Sequence, residues 1–405
     1  MGNVSLQPCK ASEFTLHKYK LDKYKINMGP GGRIPSLDGL RALSIGMVVI
    51  GHCSGTLRTI NSGAATFLGF IGAGRLGVSI FFVISGFLIT TLLVREHLTT
   101  HTISLKDFYV RRAFRIFPGF YAYWLVALAL TVLGYIHLSH SDLISAATYV
   151  WNYTPRKVDT WFLGHTWSLS VEEQFYLLWP LMLKYSGPKR GTWIAIGVVI
   201  ASPFIRVASY FLLPASRPRI GMMLHTRADS LMIGALLSLI CLNQDHLRIL
   251  KQFASSWLIP VASLCFAAID TMLTMRFKGG YLLSIGFSLQ NLMIVLLIAH
   301  VVFYDKTVLG RILNYPVVVH VGLISYSLYL WQQLFLTTKN TTFTGMFPLN
   351  IVCAFFAAEL SYYLLEKPFL QLRKRFSHAS GDAALSRESV SLEPGTARLA
   401  ASASA

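Results

Sequence analysis

Charge is scarce in this chain, and acidic charge scarcest. Asp and Glu number 18 among 405 residues, and the charged types together make up 13%. A soluble globular protein carries about 25%, so a water-facing fold of this size is excluded. Polar, low-complexity composition is missing over most of the length, which excludes disorder, collagen and coiled coil as the general state. Cysteine is sparse. Cys9 lies in a polar tail, while Cys53, Cys241, Cys265 and Cys353 lie in or beside apolar segments, so no disulfide framework is implied. Residues 1–33 are basic and polar with no apolar core, so no signal peptide is visible and the first apolar segment is expected to be its own insertion signal. No internal repeat is visible, which weakens a transporter built on inverted repeats.

What is abundant is apolar and aromatic surface. The chain is 54% hydrophobic, with 26 Phe, 18 Tyr and 8 Trp, and its mean hydropathy is +0.52. The composition predicts an all-α, polytopic membrane bundle. Ten spans are expected: 36–57, 76–94, 116–136, 167–183, 193–213, 228–243, 256–275, 281–303, 317–336 and 348–366. The first, fourth and sixth are interrupted by polar residues. With the N-terminus cytoplasmic, inside segments hold 22 Lys and Arg against 10 outside, so both termini are expected in the cytoplasm. The net charge of +18 then reflects loops facing anionic lipid, and no nucleic-acid partner is implied. The domain plan is a basic cytoplasmic tail over 1–33, a membrane domain over 34–376, and a tail over 377–405 whose Ala, Ser, Gly and Pro composition predicts disorder.

Several polar residues interrupt these spans. Arg41 and His52 are eleven positions apart, almost three helical turns, so they share a face about 16 Å apart along the axis. Ionisable residues inside a span usually face a cavity. Lipid anchoring by Arg41 and a kink tied by His52 at Gly51 stay open. Arg112 and Arg115, with Arg111, cluster at a helix start and suit an anion, or simple positive-inside anchoring. Glu172 and Glu173 point about 100° apart on a helix, so one is expected to line a cavity. Arg227 and Asp229 open the sixth span and fit a salt bridge or cap as well as a site. Ser325, Tyr326 and Tyr329 form a polar stripe that fits a buried structural network. EKPF at 366–369 reads as a helix stop. His97 and His101 lack a third ligand, so no metal is expected.

Taken in order, SLDGLRA at 36–42, His52, GVSIFFVISGFLIT at 77–90, RRAFRIFP at 111–118, WSLSVEEQFYLLWP at 167–180, RADSLMIGAL at 227–236, SYSLYLW at 325–331 and EKPF resemble the acyltransferase 3 family of integral membrane acyltransferases. The resemblance covers about 34–376. It implies transfer of an acyl group, usually acetyl, from acyl-CoA to a hydroxyl of a carbohydrate or glycolipid acceptor. O-antigen, exopolysaccharide, peptidoglycan and macrolide acceptors all occur in the family. It also implies a multi-pass protein of the cytoplasmic membrane with no permanently bound cofactor. The family's Arg–ten residues–His motif falls on Arg41 and His52, its Arg-x-x-Arg motif on Arg112 and Arg115, and its Trp-Ser-Leu…Glu segment on Trp167, Ser168 and Glu172, beside Glu173.

The expected roles follow. His52 is general base, with Glu172 and Glu173 as catalytic partners. Arg41, Arg112 and Arg115 hold acyl-CoA. Trp167, Ser168, Arg227 and Asp229 bind substrate. Two positions depart from the family: Ser79 stands where relatives often hold Asp, and Gln332 where many hold His. The soluble SGNH-type domain of some relatives is missing, so transfer is expected to be completed by the membrane domain or a separate partner. The competing functions are a flippase of a lipid-linked sugar and an acyl relay.

Overall fold

A computed structural model describes Ile26 and residues 33–58, 60–71, 74–155, 161–340 and 342–372. The rest of the basic 1–33 tail, Arg156, Lys157 and the tail over 377–405 lie outside the described residues. Among those described, the fold is all-α. The helices are α1 (Pro35–Leu57), α2 (Ser62–Ile71), α3 (Gly74–Thr100), α4 (Leu105–Val132), α5 (His140–Ala147), α6 (Trp161–Gly164), α7 (Thr166–Leu212) and α8 (Leu224–Ile240). They continue as α9 (Gln244–Ala254), α10 (Leu258–Tyr281), α11 (Phe287–Phe303), α12 (Val308–Leu313), α13 (Pro316–Leu323), α14 (Ser325–Phe335) and α15 (Leu349–Ser361).

Local chemistry sets the boundaries. Pro35 opens α1, where its missing N–H costs nothing. Ser104 caps α4 by accepting from the Asp107 N–H, and Asn243 caps α9 in the same way. The long α7 breaks at Gly187, whose φ of 73° suits glycine. This break separates the segments expected at 167–183 and 193–213. Lys278, with φ 48° and ψ −130°, breaks α10 before the segment expected at 281–303. Ile324 divides the segment expected at 317–336 into α13 and α14.

All ten expected segments therefore fall on helix. By length and apolar composition, six helical stretches can cross a membrane, or seven if α8 and α9, bent by 116°, act as one. The count falls below ten because the runs Trp161–Leu212 and Leu258–Phe303 each hold two expected segments, and the segments at 228–243 and 317–336 fall on the shorter helices α8, α13 and α14. Large apolar side chains such as Phe204, Leu264 and Phe356 stay exposed on the outside of the bundle, as helices facing lipid require.

Polar pairs lock the helices that carry the site. The fully buried Arg206 forms a 2.8 Å ion pair with Asp229, joining α7 to α8. Its other N–H groups reach the Leu283 carbonyl at 3.0 Å, the Thr226 carbonyl at 3.0 Å and Ser288 Oγ at 2.9 Å. A buried pair in which every guanidinium nitrogen donates holds position well, and losing one partner strands a charge. Asp270 plays a similar part. It accepts from Gln290 Nε2 at 2.7 Å and Tyr281 OH at 3.0 Å, and lies 3.6 Å from Arg75. Helices α3 and α8 cross at Gly86 and Gly234, where any Cβ would fall on the opposite backbone. This close crossing brings the first turn of α8 beside Ser79 of α3.

The EKPF segment does not end its helix. A π-helical turn over Tyr362–Glu366 carries Glu366 into the interior, where it accepts from the Ser327 hydroxyl, and the helical run continues to Leu372.

Candidate active site

Helix α1 carries a polar group near each end, and each meets a different environment. At one end Arg41 Nη1 lies 3.0 Å from Asp38 Oδ1, and Asp38 also pairs with Arg33 at 2.8 Å. Arg112 packs its guanidinium 4.6 Å from the centre of the Tyr176 ring. Arg41 and Arg112 each feel the repulsion of Arg115, and Arg112 is attracted by Glu173 and Glu172. Arg111 is occupied elsewhere, 3.1 Å from Glu96. The three arginines of the expected donor site thus form one electrostatic group, with Arg115 exposed.

At the other end His52 faces a cavity of about 760 Å³, a volume suited to a small organic substrate. The cavity is lined by His52, Arg75, Trp161, His165, Trp167, Arg227 and Tyr329 among others. His52 Nδ1 lies 2.8 Å from Gln332 Oε1. The direction of that bond can be assigned from its neighbours. Gln333 Nε2 donates to the Trp161 carbonyl at 2.7 Å, and a carbonyl can only accept. Gln333 Oε1 is then left to accept from Gln332 Nε2 at 2.8 Å. Gln332 therefore offers its oxygen to His52, so Nδ1 carries the proton and Nε2 the lone pair. The Trp161 ring stands edge-on to His52 at 5.0 Å, and its Nε1 donates to the Gln333 carbonyl at 2.9 Å. Ring, loop and amide chain together hold the imidazole.

The expected residues divide between these two places. Trp167 lines the cavity, and Ser168 sits just behind it with Oγ 2.6 Å from the Tyr329 hydroxyl. Arg227 lines the cavity, donates from Nη2 to Ser79 Oγ at 2.8 Å, and stacks 3.9 Å from the centre of Phe287. Asp229 is held by Arg206 instead, in the salt bridge that the spacing left open. Glu172 and Glu173 belong to the arginine end. Glu172 accepts from Ser85 Oγ at 2.8 Å, and Tyr176 OH donates to the same Ser85 oxygen at 3.1 Å. The partner of His52 is an amide, not a carboxylate. The reason is the rise of α7: Glu172 lies four residues, about 6 Å, beyond Ser168 along the axis.

His165 was not singled out in the sequence. It precedes α7, is 4% exposed, lines the cavity, and both of its ring nitrogens lack a hydrogen-bond partner. Only its place directly before TWSLSVEEQ hints at it. A histidine in a loop leaves no periodic signal. Arg75 and Gln333 were equally silent in the pattern, and Gln332 stood out only as a departure from the family.

Comparison with known proteins gives the arrangement its context. A family model described as an acyltransferase domain matches residues 34–365. A protein of Staphylococcus aureus strain COL, provisionally named an O-acetyltransferase, is 31% identical over 388 residues, covering 89% of this chain and 59% of that relative. The O-acetyltransferase OatA of Staphylococcus aureus strain NCTC 8325 is 27% identical over 360 residues, covering 83% of this chain and 57% of its own. The chain thus spans less than two thirds of the length of these curated relatives. No solved structure matches it.

Proposed function

The chain belongs to the acyltransferase 3 family, and on that premise we propose that it is a membrane O-acyltransferase that moves an acetyl group from acetyl-CoA to a hydroxyl of a carbohydrate or glycoconjugate. The choice of acetyl rests on relatives named as O-acetyltransferases. The observation that carries the reading is the amide chain from the Trp161 carbonyl to His52, which leaves Nε2 free to accept a proton beside the cavity. Arg112 and Arg115 bind the phosphates of CoA, and Arg41 guides the pantetheine arm towards His52.

The acceptor hydroxyl gives its proton to His52 Nε2 as its oxygen attacks the thioester carbonyl. A carbon–oxygen bond forms and the carbon–sulfur bond breaks. The departing CoA thiolate takes the proton from the imidazolium, so His52 is restored and no bound cofactor is consumed. Gln332 stabilises the N–H tautomer throughout, and Trp167 and Tyr329 wall the acceptor. Glu172 and Glu173 balance the arginine charge on the donor path.

The ten-span arrangement, with both termini and the arginine group in the cytoplasm and His52 towards the far side, follows from the excess of 22 inside Lys and Arg over 10 outside. It makes the chain a multi-pass protein of the cytoplasmic membrane. The test is release of CoA thiol from acetyl-CoA by the purified chain in nanodiscs, with a panel of cell-envelope oligosaccharides as acceptors. Thiol release that depends on an oligosaccharide, together with acetylated product, is the expected result. An intact thioester across the panel, with sugar movement in liposomes, would instead make the chain a flippase. Thiol release with no acetylated sugar would make it a relay.

A further inference from the structure

We infer that the cavity beside His52 recognises an anionic acceptor, a saccharide bearing a carboxylate or phosphate, and that Arg227 is its principal anchor. This rests on the reading that the acceptor hydroxyl reaches His52.

The cavity wall is one-sided in charge. Arg75, Arg227 and Lys339 line it together with His52 and His165, and among the described residues no Asp or Glu does. The nearby carboxylates among the described residues are already engaged. Asp229 is paired with Arg206 at 2.8 Å. Asp270 is shared among Arg75, Gln290 and Tyr281. Among these residues Arg227 makes no ion pair of its own: it donates to the hydroxyl of Ser79 and lies against the faces of Phe287 and Phe82, while Asp229 attracts it without a hydrogen bond.

Arg227 is nevertheless 1% exposed, and its Nε and Nη1 have no hydrogen-bond partner. A guanidinium carries five N–H donors, so at least three are unused. His165, 4% exposed, adds two unpartnered ring nitrogens on the same wall, and Arg75 Nε is unpartnered as well. Burying a cation without a hydrogen-bonded counter-ion is costly, and an anion in the cavity lowers that cost. Gly221 and Met222 also line the cavity, so the N-terminal end of α8 opens there. Its aligned dipoles favour negative charge in the same place. The phosphates of CoA have their own cations near Arg41, about 16 Å along α1 from His52, which leaves this second cationic site to the acceptor.

The experiment follows carbethoxylation of His52 by diethyl pyrocarbonate, read by mass spectrometry on the full chain in nanodiscs. The probes are glucuronic acid, glucose 1-phosphate, glucose and CoA. The two charged sugars are expected to slow modification of His52 and glucose is not, and the better of the two tells a carboxylate site from a phosphate site. Arg227→Gln is expected to weaken that protection by about tenfold or more, the loss of a charge-assisted contact. Arg227→Lys, which keeps the charge and guards against a folding failure, is expected to retain part of it. Equal protection by glucose, no protection by either charged sugar, or unchanged protection in Arg227→Gln each overturns the proposal. So does CoA protection that is lost in Arg227→Gln but kept in Arg112→Ala/Arg115→Ala, since the anion would then belong to the donor. No turnover is needed for this readout, so a failure here is distinguishable from a failure of the acyltransferase reading.

Discussion

His52→Ala is expected to lower turnover by about 10²–10⁴ while acetyl-CoA binding stays intact, the range that a positioned general base contributes. The imidazole is held by Gln332 at Nδ1 and by the edge of Trp161 at 5.0 Å, so what the substitution removes is a proton acceptor already aimed. His52→Gln sharpens the test. An amide in this place still bonds to Gln332 and still fills the volume, but it cannot take a proton at neutral pH. It is expected to be nearly as poor as alanine. Turnover in the Gln variant within a few-fold of wild type would reduce His52 to an orienting residue. The base role would then pass to His165, which lines the same cavity, or to Glu172 or Glu173.

The second large effect is on the donor. Arg112→Ala/Arg115→Ala is expected to raise the acetyl-CoA concentration needed for half-maximal rate by about 10²–10⁴, because each charge-assisted phosphate contact is worth about 1.5–3 kcal/mol. The rate at saturating donor should change far less, since neither arginine lines the His52 cavity. Arg112 packs on Tyr176, so its loss also disturbs packing. Arg115 is exposed, and Arg115→Ala alone should show part of the shift with the fold untouched. Unchanged donor saturation in both variants would leave these arginines as membrane anchors only.

Much of this site could be read along the chain because it is written on helices. Arg41 and His52 share α1 at a fixed spacing, and the pair divides the molecule into an arginine end and a cavity end. The interrupted segments, where polar residues cut the apolar pattern, are those that carry the site. What the pattern could not give was pairing across helices. Asp229 sits two residues from Arg227, yet its partner is Arg206, on a helix packed alongside. Glu172 was expected as a catalytic partner of His52 because it falls on the family's Trp-Ser-Leu…Glu segment. The pitch of α7 carries it to Ser85 and the arginines instead. His165 stands in the turn before α7, where no periodicity marks it. Glu366 looked like a stop because lysine and proline follow it, whereas a π-helical turn rotates it inward to Ser327. The number of spans was softened for a related reason. The division at Ile324 and the 116° bend between α8 and α9 leave the segments at 317–336 and 228–243 on short helices, and hydropathy reports neither.

The central claim is that donor and acceptor meet from opposite faces of the membrane, the arginine group opening to one side and the His52 cavity to the other. Cysteine labelling in whole cells tests it most directly. Thr102→Cys marks the turn before α4, and Lys339→Cys marks the rim of the cavity. Both are exposed positions, introduced separately into a chain with its five native cysteines replaced by serine. A membrane-impermeant maleimide is expected to label position 339 in intact cells and position 102 only after permeabilisation. Labelling of both positions from the same side would contradict the account.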